Sequence, residues 1–126
     1  MFDIKILLLI GSGGFAGSIL RYVVSLSIQN KLLSSFPYGT LSVNIIGSFL
    51  IGIVYALVEK GSLSPEIRLF LAAGVLGGFT TFSAFSLDAL NLLQEGLWLE
   101  GFAYVLISVL AGIAFAFLGI LTIKLF

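Results

Sequence analysis

The sequence contains neither cysteine nor histidine, and proline occurs at only two of its 126 positions. The absence of these two ligand types removes disulfides, thiolate chemistry, haem and most zinc sites. No pair of carboxylates shares an evident site either. These absences argue against an enzyme, while the lack of cysteine leaves the redox compartment open.

Charged residues are also scarce, at 10% of the chain, and the net charge is zero. A neutral chain argues against nucleic acid or another polyanion as a partner. Hydrophobic residues make up 60% of the chain, and the mean hydropathy is +1.22. In a soluble domain about half of the residues are apolar, and a globular protein this small has too little interior to bury the additional hydrophobic residues. The composition therefore predicts a membrane protein surrounded by lipid.

Four apolar segments are each long enough to cross the hydrocarbon core, which takes about 20 residues. The predicted helices cover about residues 4–28, 39–58, 67–93 and 97–123, which makes residues 1–126 a single four-helix transmembrane domain. The first segment stays apolar without a clear small-x-small cleavage site, so a retained helix is favoured over a signal peptide. The predicted fold is all-α.

The basic residues give only a weak indication of orientation. In this topology four of them fall on the side of the termini and two on the other side: Lys5, Lys60, Arg68 and Lys124 against Lys31 and Arg21. The positive-inside rule then favours cytoplasmic termini. A bias this small is compatible with both orientations.

The most informative stretch is GVLGGFTTFSAFS, residues 74–86, inside the third segment. Its glycines and hydroxyl residues make a poor continuous helix, and we predict a break near residues 75–80. Discontinuous membrane helices often bind ions or substrates, because protein or water must satisfy the freed backbone groups. The N–H groups after a break favour anions, whereas carbonyls released at Gly77–Thr80 suit a hard cation. Both alternatives stay open.

Phenylalanines recur every three residues after this break, at Phe79, Phe82 and Phe85. Such a stripe ordinarily packs in a core or against lipid. A phenyl ring also has a positive edge, which can contact a small anion without a full charge. Conduction requires binding of this weak kind, because the ion must be released again. The pattern is compatible with packing and with an anion pathway.

Polar and small residues mark the other helices. Thr40, Asn44 and Ser48 share one face of the second helix, where the amide of Asn44 either bonds to a neighbouring helix or donates to an anion. The hydroxyls of Tyr104 and Ser108 on the fourth helix either bond to neighbouring backbone or line a pore. Pairs at GxxxG spacing, Gly13 with Gly17 and Ser48 with Gly52, predict close helix packing. Arg21 lies roughly two turns inside its segment, so it either extends to the interface or marks a vestibule.

Three stretches resemble the Fluc (CrcB-type) family of fluoride channels: residues 14–22 (GFAGSILRY), residues 37–47 (PYGTLSVNIIG) and residues 74–86. Their order and spacing agree over essentially the whole chain. The resemblance implies an antiparallel, dual-topology homodimer in the inner (cytoplasmic) cell membrane, with two pores. It also implies passive, fluoride-selective export that protects the cell against fluoride toxicity. The implied partners are fluoride, membrane lipid and a second copy of the chain.

The resemblance assigns site residues by matching position. Those of the fluoride pore are Asn44, Phe82, Phe85, Tyr104 and Ser108. A sodium ion shared between subunits is implied at the backbone carbonyls of Gly77 and Thr80. Arg21 is assigned to dimer assembly or to the pore mouth. The chain departs from the family pattern at three positions, where hydroxyl residues are common: Ala84, Gly112 and Ala116.

Two other classes of protein compete with this interpretation. A small proton-coupled multidrug exporter is also a four-helix, dual-topology dimer, but it needs a carboxylate inside the membrane. The first helix has none between Lys5 and Ile28, and Asp88 lies late in the third segment. A scaffold subunit that transports nothing would explain the small-residue spacing but not the polar stretch.

Overall fold

The computed structural model describes residues 2–126, which form helices and, within that range, no strands. Four helical segments are long and apolar enough to cross a membrane: α1 (Ile4–Leu32), α2 (Tyr38–Glu59), α3 (Pro65–Gln94) and α4 (Trp98–Leu125). The predicted all-α membrane fold is confirmed. The largest difference in a predicted helix boundary is at the end of α1, which extends to Leu32 instead of residue 28.

The third helix is bent and consists of two halves. Its first half, residues 65–79, begins with an α-helical turn, widens into a π-helix over Leu69–Leu76 and tightens again at Gly77–Phe79. Thr80 and Thr81 then adopt extended backbone conformations, with ψ angles of 157° and 123°. The second half, Phe82–Gln94, is a regular α-helix. We call these halves α3a and α3b.

The break lies at Thr80–Thr81, at the end of the predicted range of residues 75–80. The glycines that suggested it remain helical, and two of them, Gly74 and Gly78, contact α1. A Cβ atom added to Gly78 would lie 2.6 Å from the carbonyl oxygen of Gly14, and one added to Gly74 would lie 2.9 Å from that of Ile10. Gly13 packs against the same stretch, so the small-residue contact predicted for α1 is confirmed.

The connection between α1 and α2 is organised by one side chain, that of Gln29. Its Nε2 donates to the carbonyls of Ser34 (2.7 Å) and Phe36 (3.1 Å), and its Oε1 accepts from the amide of Gly39 at 3.0 Å. Leu33 takes the left-handed conformation that ends α1. Gln29 thereby fixes the start of α2 relative to the end of α1.

The carboxyl ends of α2 and α4 meet at the opposite end of α2. Lys124 forms an ion pair with Glu59 at 3.3 Å, and the Lys60 ammonium donates to the carbonyl of Ile123 at 2.6 Å. Gly52 and Gly119 bring the backbones of the same two helices into contact. This pairing of α2 with α4 forms one wall of the groove described next.

Candidate ion pathway

A groove of about 380 Å³ follows the break in α3 and is lined by α2, α3a, α3b and α4. It brings together four predicted pore residues and both predicted sodium ligands: Asn44, Phe82, Phe85, Ser108, Gly77 and Thr80. The side chains that line it carry no formal charge. The sequence places these residues up to 64 positions apart, from Asn44 to Ser108, and the fold joins them at one surface.

Asn44 holds the break through two reciprocal hydrogen bonds. Its Nδ2 donates to the carbonyl of Thr81 at 3.0 Å, and its Oδ1 accepts from the amide of the same residue at 2.8 Å. Because one partner is an acceptor and the other a donor, this pair fixes the orientation of the amide group. A primary amide has two N–H donors, so one remains for another partner. Asn44 thus serves the interhelical bonding and retains one donor beside the groove.

Thr81 caps the amino terminus of α3b. Its Oγ1 accepts from the amide of Ala84 at 3.1 Å, the side-chain bond typical of an N-cap. In a continuous helix the Ala84 amide would bond to the carbonyl of Thr80, and the Thr81 amide to that of Gly77. Both donors are engaged elsewhere, by Thr81 itself and by Asn44. The carbonyls of Gly77 and Thr80 therefore lose their helical partners at the break.

Gly47 lets α2 approach the break closely. A Cβ atom on Gly47 would overlap the Thr80 methyl group and would lie 3.4 Å from the ring of Phe79. The Thr80 hydroxyl points the other way and donates to the carbonyl of Leu76 at 2.8 Å. Thr80 therefore presents its methyl group to α2 and keeps its hydroxyl bonded within α3a.

The three phenylalanines of the stripe have different surroundings. Phe79 is buried, with 7% of its surface exposed, and belongs to the interior of the subunit. Phe82 is 78% exposed although its ring lines the groove. Phe85 lies between them in exposure, and the centroid of its ring is 5.5 Å from that of Phe82. Only the two rings after the break belong to the groove.

Ser108 contributes a buried hydroxyl that forms no hydrogen bond within residues 2–126. A buried polar group without a partner costs about 1–3 kcal/mol. The side chain of Ser108 lines the groove on α4. Within residues 2–126 the donor of this hydroxyl is therefore unused.

Two predicted site residues lie outside the groove lining. Tyr104 is completely buried behind Phe85, and its ring centroid is 5.3 Å from that of Phe85. Arg21 lines a second groove, of about 400 Å³, between α1, α2 and the start of α3b. Thr81 lines both grooves, so both reach the residue that is bonded to Asn44.

The pore residues assigned from the sequence did not include Ser48 or Thr81, although Ser48 was placed on the polar face of α2 with Asn44. The Ser48 hydroxyl lines the groove and donates to the carbonyl of Asn44 at 2.7 Å. A Cβ atom on Gly112 would lie 3.5 Å from that hydroxyl, so α2 supplies a hydroxyl where α4 has none. The four-residue spacing from Asn44 was the signal for Ser48. For Thr81 the signal was a hydroxyl residue directly before a helical stretch.

Comparison with known proteins agrees with this architecture. A family model described as CrcB-like protein, Camphor Resistance (CrcB), matches residues 8–120. A relative from Rhizobium meliloti (strain 1021) is 50% identical over 115 residues, which cover 90% of this chain and 92% of the relative. A relative from Phocaeicola vulgatus is 47% identical, with 92% and 96% covered, and one from Leptospira interrogans serovar copenhageni is 46% identical, with 97% of each chain covered.

All three relatives carry the name fluoride-specific ion channel FluC. The matched residues include the groove, the break and the residues between α1 and α2. This chain is a multi-pass membrane protein that belongs to the CrcB-like family.

Proposed function

We propose that this protein is a fluoride channel that exports fluoride from the cytoplasm by passive electrodiffusion across the inner membrane, and thereby protects the cell against fluoride toxicity. The relatives' name supports the choice of ion. The observation that carries the proposal is the unpaired, buried hydroxyl of Ser108 in an uncharged groove. Such a groove replaces water around an anion with neutral donors.

The donors around the groove suit a small anion. The second N–H of Asn44 and the hydroxyl of Ser108 provide hydrogen bonds, and the first amides of α3b carry the partial positive charge of a helix amino terminus. The rings of Phe82 and Phe85 add positively polarised edges. None of these groups carries a full charge, so each contact is weak enough for the ion to move on. Fluoride would pass Asn44, the two rings and Ser108 in turn.

The functional unit in this proposal is an antiparallel homodimer with dual topology. The groove is open along one side, where the ring of Phe82 is exposed and the carbonyl of Gly77 has lost its helical partner. Lipid cannot satisfy a backbone carbonyl, whereas protein and water can. A second copy related by a two-fold axis would cover the groove at the break in each subunit and create two equivalent pathways. Lipid then contacts only the outer surface.

A sodium ion between the subunits fits the oxygen atoms at the break. The carbonyls of Gly77 and Thr80 are neutral, hard ligands of the kind that coordinate sodium in discontinuous membrane helices. Two carbonyls from each subunit would supply four oxygens around the two-fold axis. When bound, the ion would supply a fixed positive charge and link the subunits. The chain's own contribution is to release these carbonyls, through Asn44 and the Thr81 cap.

Arg21 is assigned in this proposal to the pore mouth. It lines the second groove together with polar residues of two helices, Gln29 of α1 and Thr40 of α2. Thr81 connects this groove with the first. A cation at this position would raise the local concentration of anions before they meet the neutral groove.

The test is fluoride efflux from liposomes that contain the purified protein, with a potassium ionophore to carry the counter-charge. We expect rapid fluoride efflux, little chloride efflux and no requirement for a proton gradient. Sodium-free liposomes should show reduced fluoride efflux. A multidrug exporter would instead move an organic cation against protons, but Asp88 does not line the groove. Liposomes that contain a scaffold subunit would show no fluoride efflux.

A further inference from the structure

A column of five aromatic rings connects the α1–α2 connection with the groove. The order of the rings is Tyr38, Phe36, Tyr104, Phe85 and Phe82. Successive centroids lie 4.8, 5.6, 5.3 and 5.5 Å apart. All four distances fall in the range of attractive aromatic pairs, and the Phe36–Tyr104 pair is edge-to-face at 84°. The column therefore joins the surface loop to the rings that line the groove.

Phe36 is fixed in the loop by its backbone. Gln29 donates to its carbonyl at 3.1 Å, and its own amide donates to the Ser34 hydroxyl at 3.1 Å. Pro37 follows and restricts the backbone further. The ring of Phe36 thus has a fixed support that does not depend on the groove residues.

Tyr104 lies between Phe36 and the groove residue Phe85 in this column. None of its surface is exposed, and its hydroxyl oxygen lies 3.5 Å from Asp88 Oδ2. Phe36 and Phe85 both pack on the cluster that Tyr104 forms with Ala89 and Leu92. A close-packed ring without free volume cannot shift unless its neighbours shift as well. Tyr104 is in contact with both Phe36 and Phe85, so a shift of the Phe36 ring would reach Phe85 through Tyr104.

We infer that Phe36 is a positioning residue for fluoride conduction: it holds Tyr104, and through it Phe85, at the groove wall. This inference rests on the proposed function. A ring edge discriminates a small anion from a larger one only if the edge stays in place. Loss of Phe36 therefore reduces both the fluoride flux and the selectivity for fluoride over chloride.

The first experiment compares Phe36→Leu with Phe36→Tyr in the liposome assay. Phe36→Leu is expected to lower fluoride efflux about 2- to 12-fold, which corresponds to the stabilisation of one aromatic pair, and to lower the fluoride-to-chloride permeability ratio. Phe36→Tyr keeps the ring and should retain both. Phe102→Leu is the matched control, because Phe102 lies on α4 like Tyr104 but is 64% exposed and packs only on Trp98 among the aromatic rings of residues 2–126.

The second experiment tests whether Phe36 acts through Tyr104. In a Tyr104→Leu background, Phe36→Leu should change the flux less than about 2-fold, because the ring that transmits its effect is absent. Independent, additive losses would overturn the inference. So would an unchanged permeability ratio in Phe36→Leu when the parent protein conducts fluoride.

Folding is checked separately, by size-exclusion chromatography of each variant in detergent. If Phe36→Leu does not fold, Phe36→Met replaces it, since it keeps a similar volume without a ring, and the same loss of selectivity is expected. If neither variant folds while Phe36→Tyr does, Phe36 only stabilises the fold and the inference is wrong. A parent protein that carries no fluoride would refute the proposed function and this inference with it.

Discussion

The two halves of α3 are fixed to their neighbours inside the membrane by different means. The first half, α3a, lies directly on the backbone of α1, where glycines such as Gly74 and Gly78 remove the side chains that would separate them. The second half, α3b, starts with side-chain hydrogen bonds from Asn44 and Thr81. Gly74 and Gly78 serve close packing in α3a, whereas polar side chains hold the break.

This difference implies two kinds of defect. A substitution in the contact between α3a and α1 should lower the stability of the protein and leave the properties of the groove unchanged. A substitution at the break or in the groove should lower the flux or the selectivity of protein that still folds. The following predictions test this division, from the largest expected effect to the smallest.

Asn44→Leu is expected to have the largest effect. It leaves the amide and the carbonyl of Thr81 without partners at membrane depth, at about 1–3 kcal/mol for each group. Fluoride efflux should fall on the order of 100-fold or more, and the yield of folded protein should fall as well. Asn91→Leu is the control, because Asn91 is exposed near the end of α3b. Efflux close to that of the parent would mean that the break does not depend on Asn44.

Phe82→Ile and Phe85→Ile should each reduce fluoride efflux on the order of 10-fold or more, because isoleucine fills space but has no polarised ring edge. The folded state should persist in Phe82→Ile, since Phe82 is exposed in the subunit. Efflux from liposomes and size-exclusion profiles measure the two properties. Phe102→Ile provides the control on a ring outside the groove. Undiminished flux in both variants would remove these rings from the mechanism.

Gly78→Ala tests the other half of the helix. Its added methyl group would lie 2.6 Å from the Gly14 carbonyl oxygen, and overpacking of this kind costs about 1–3 kcal/mol. The thermal transition in detergent should occur at a lower temperature, while the permeability ratio of the remaining folded protein stays unchanged. Gly11→Ala is the matched control, because nothing lies within 4 Å of the added atom. A changed permeability ratio in Gly78→Ala would contradict the proposed division.

Ser108→Ala should have the smallest effect, a loss of about 2- to 12-fold in fluoride efflux, as expected for one hydrogen bond with a net value of about 0.5–1.5 kcal/mol. Stability should not fall, because the hydroxyl has no partner within residues 2–126. Ser12→Ala is a control at an exposed serine of α1 that bonds only to its own helix. A variant that loses stability but conducts normally would show that Ser108 has only a structural role.

Several features of the groove follow from short-range patterns in the sequence. The spacing of Asn44 and Ser48 placed them on one face of α2, and the polar residues after Gly78 indicated an interruption of α3. The location of the interruption depended on contacts between helices. Gly74 and Gly78 lie in the contact between α3a and α1 and remain helical, and the amide of Thr81 leaves the helix and donates to Asn44.

Tyr104 illustrates why side-chain environment is harder to predict than helix face. Its position one turn before Ser108 suggested that both residues have the same role. In the structure Tyr104 is buried behind Phe85 and packs against Phe36 from the α1–α2 connection, and of the two residues only Ser108 lines the groove. Nothing near Tyr104 in sequence indicates that contact.

The sequence by itself determined that this chain crosses a membrane as four helices, because the solvent preference of an apolar segment depends on its own composition and length. It also determined which residues are available as uncharged donors. Only the tertiary structure decided where the third helix opens and which carbonyls lose their partners. A hydrogen bond between α2 and α3 forms only when packing brings two distant residues within about 3 Å, and composition does not encode that distance.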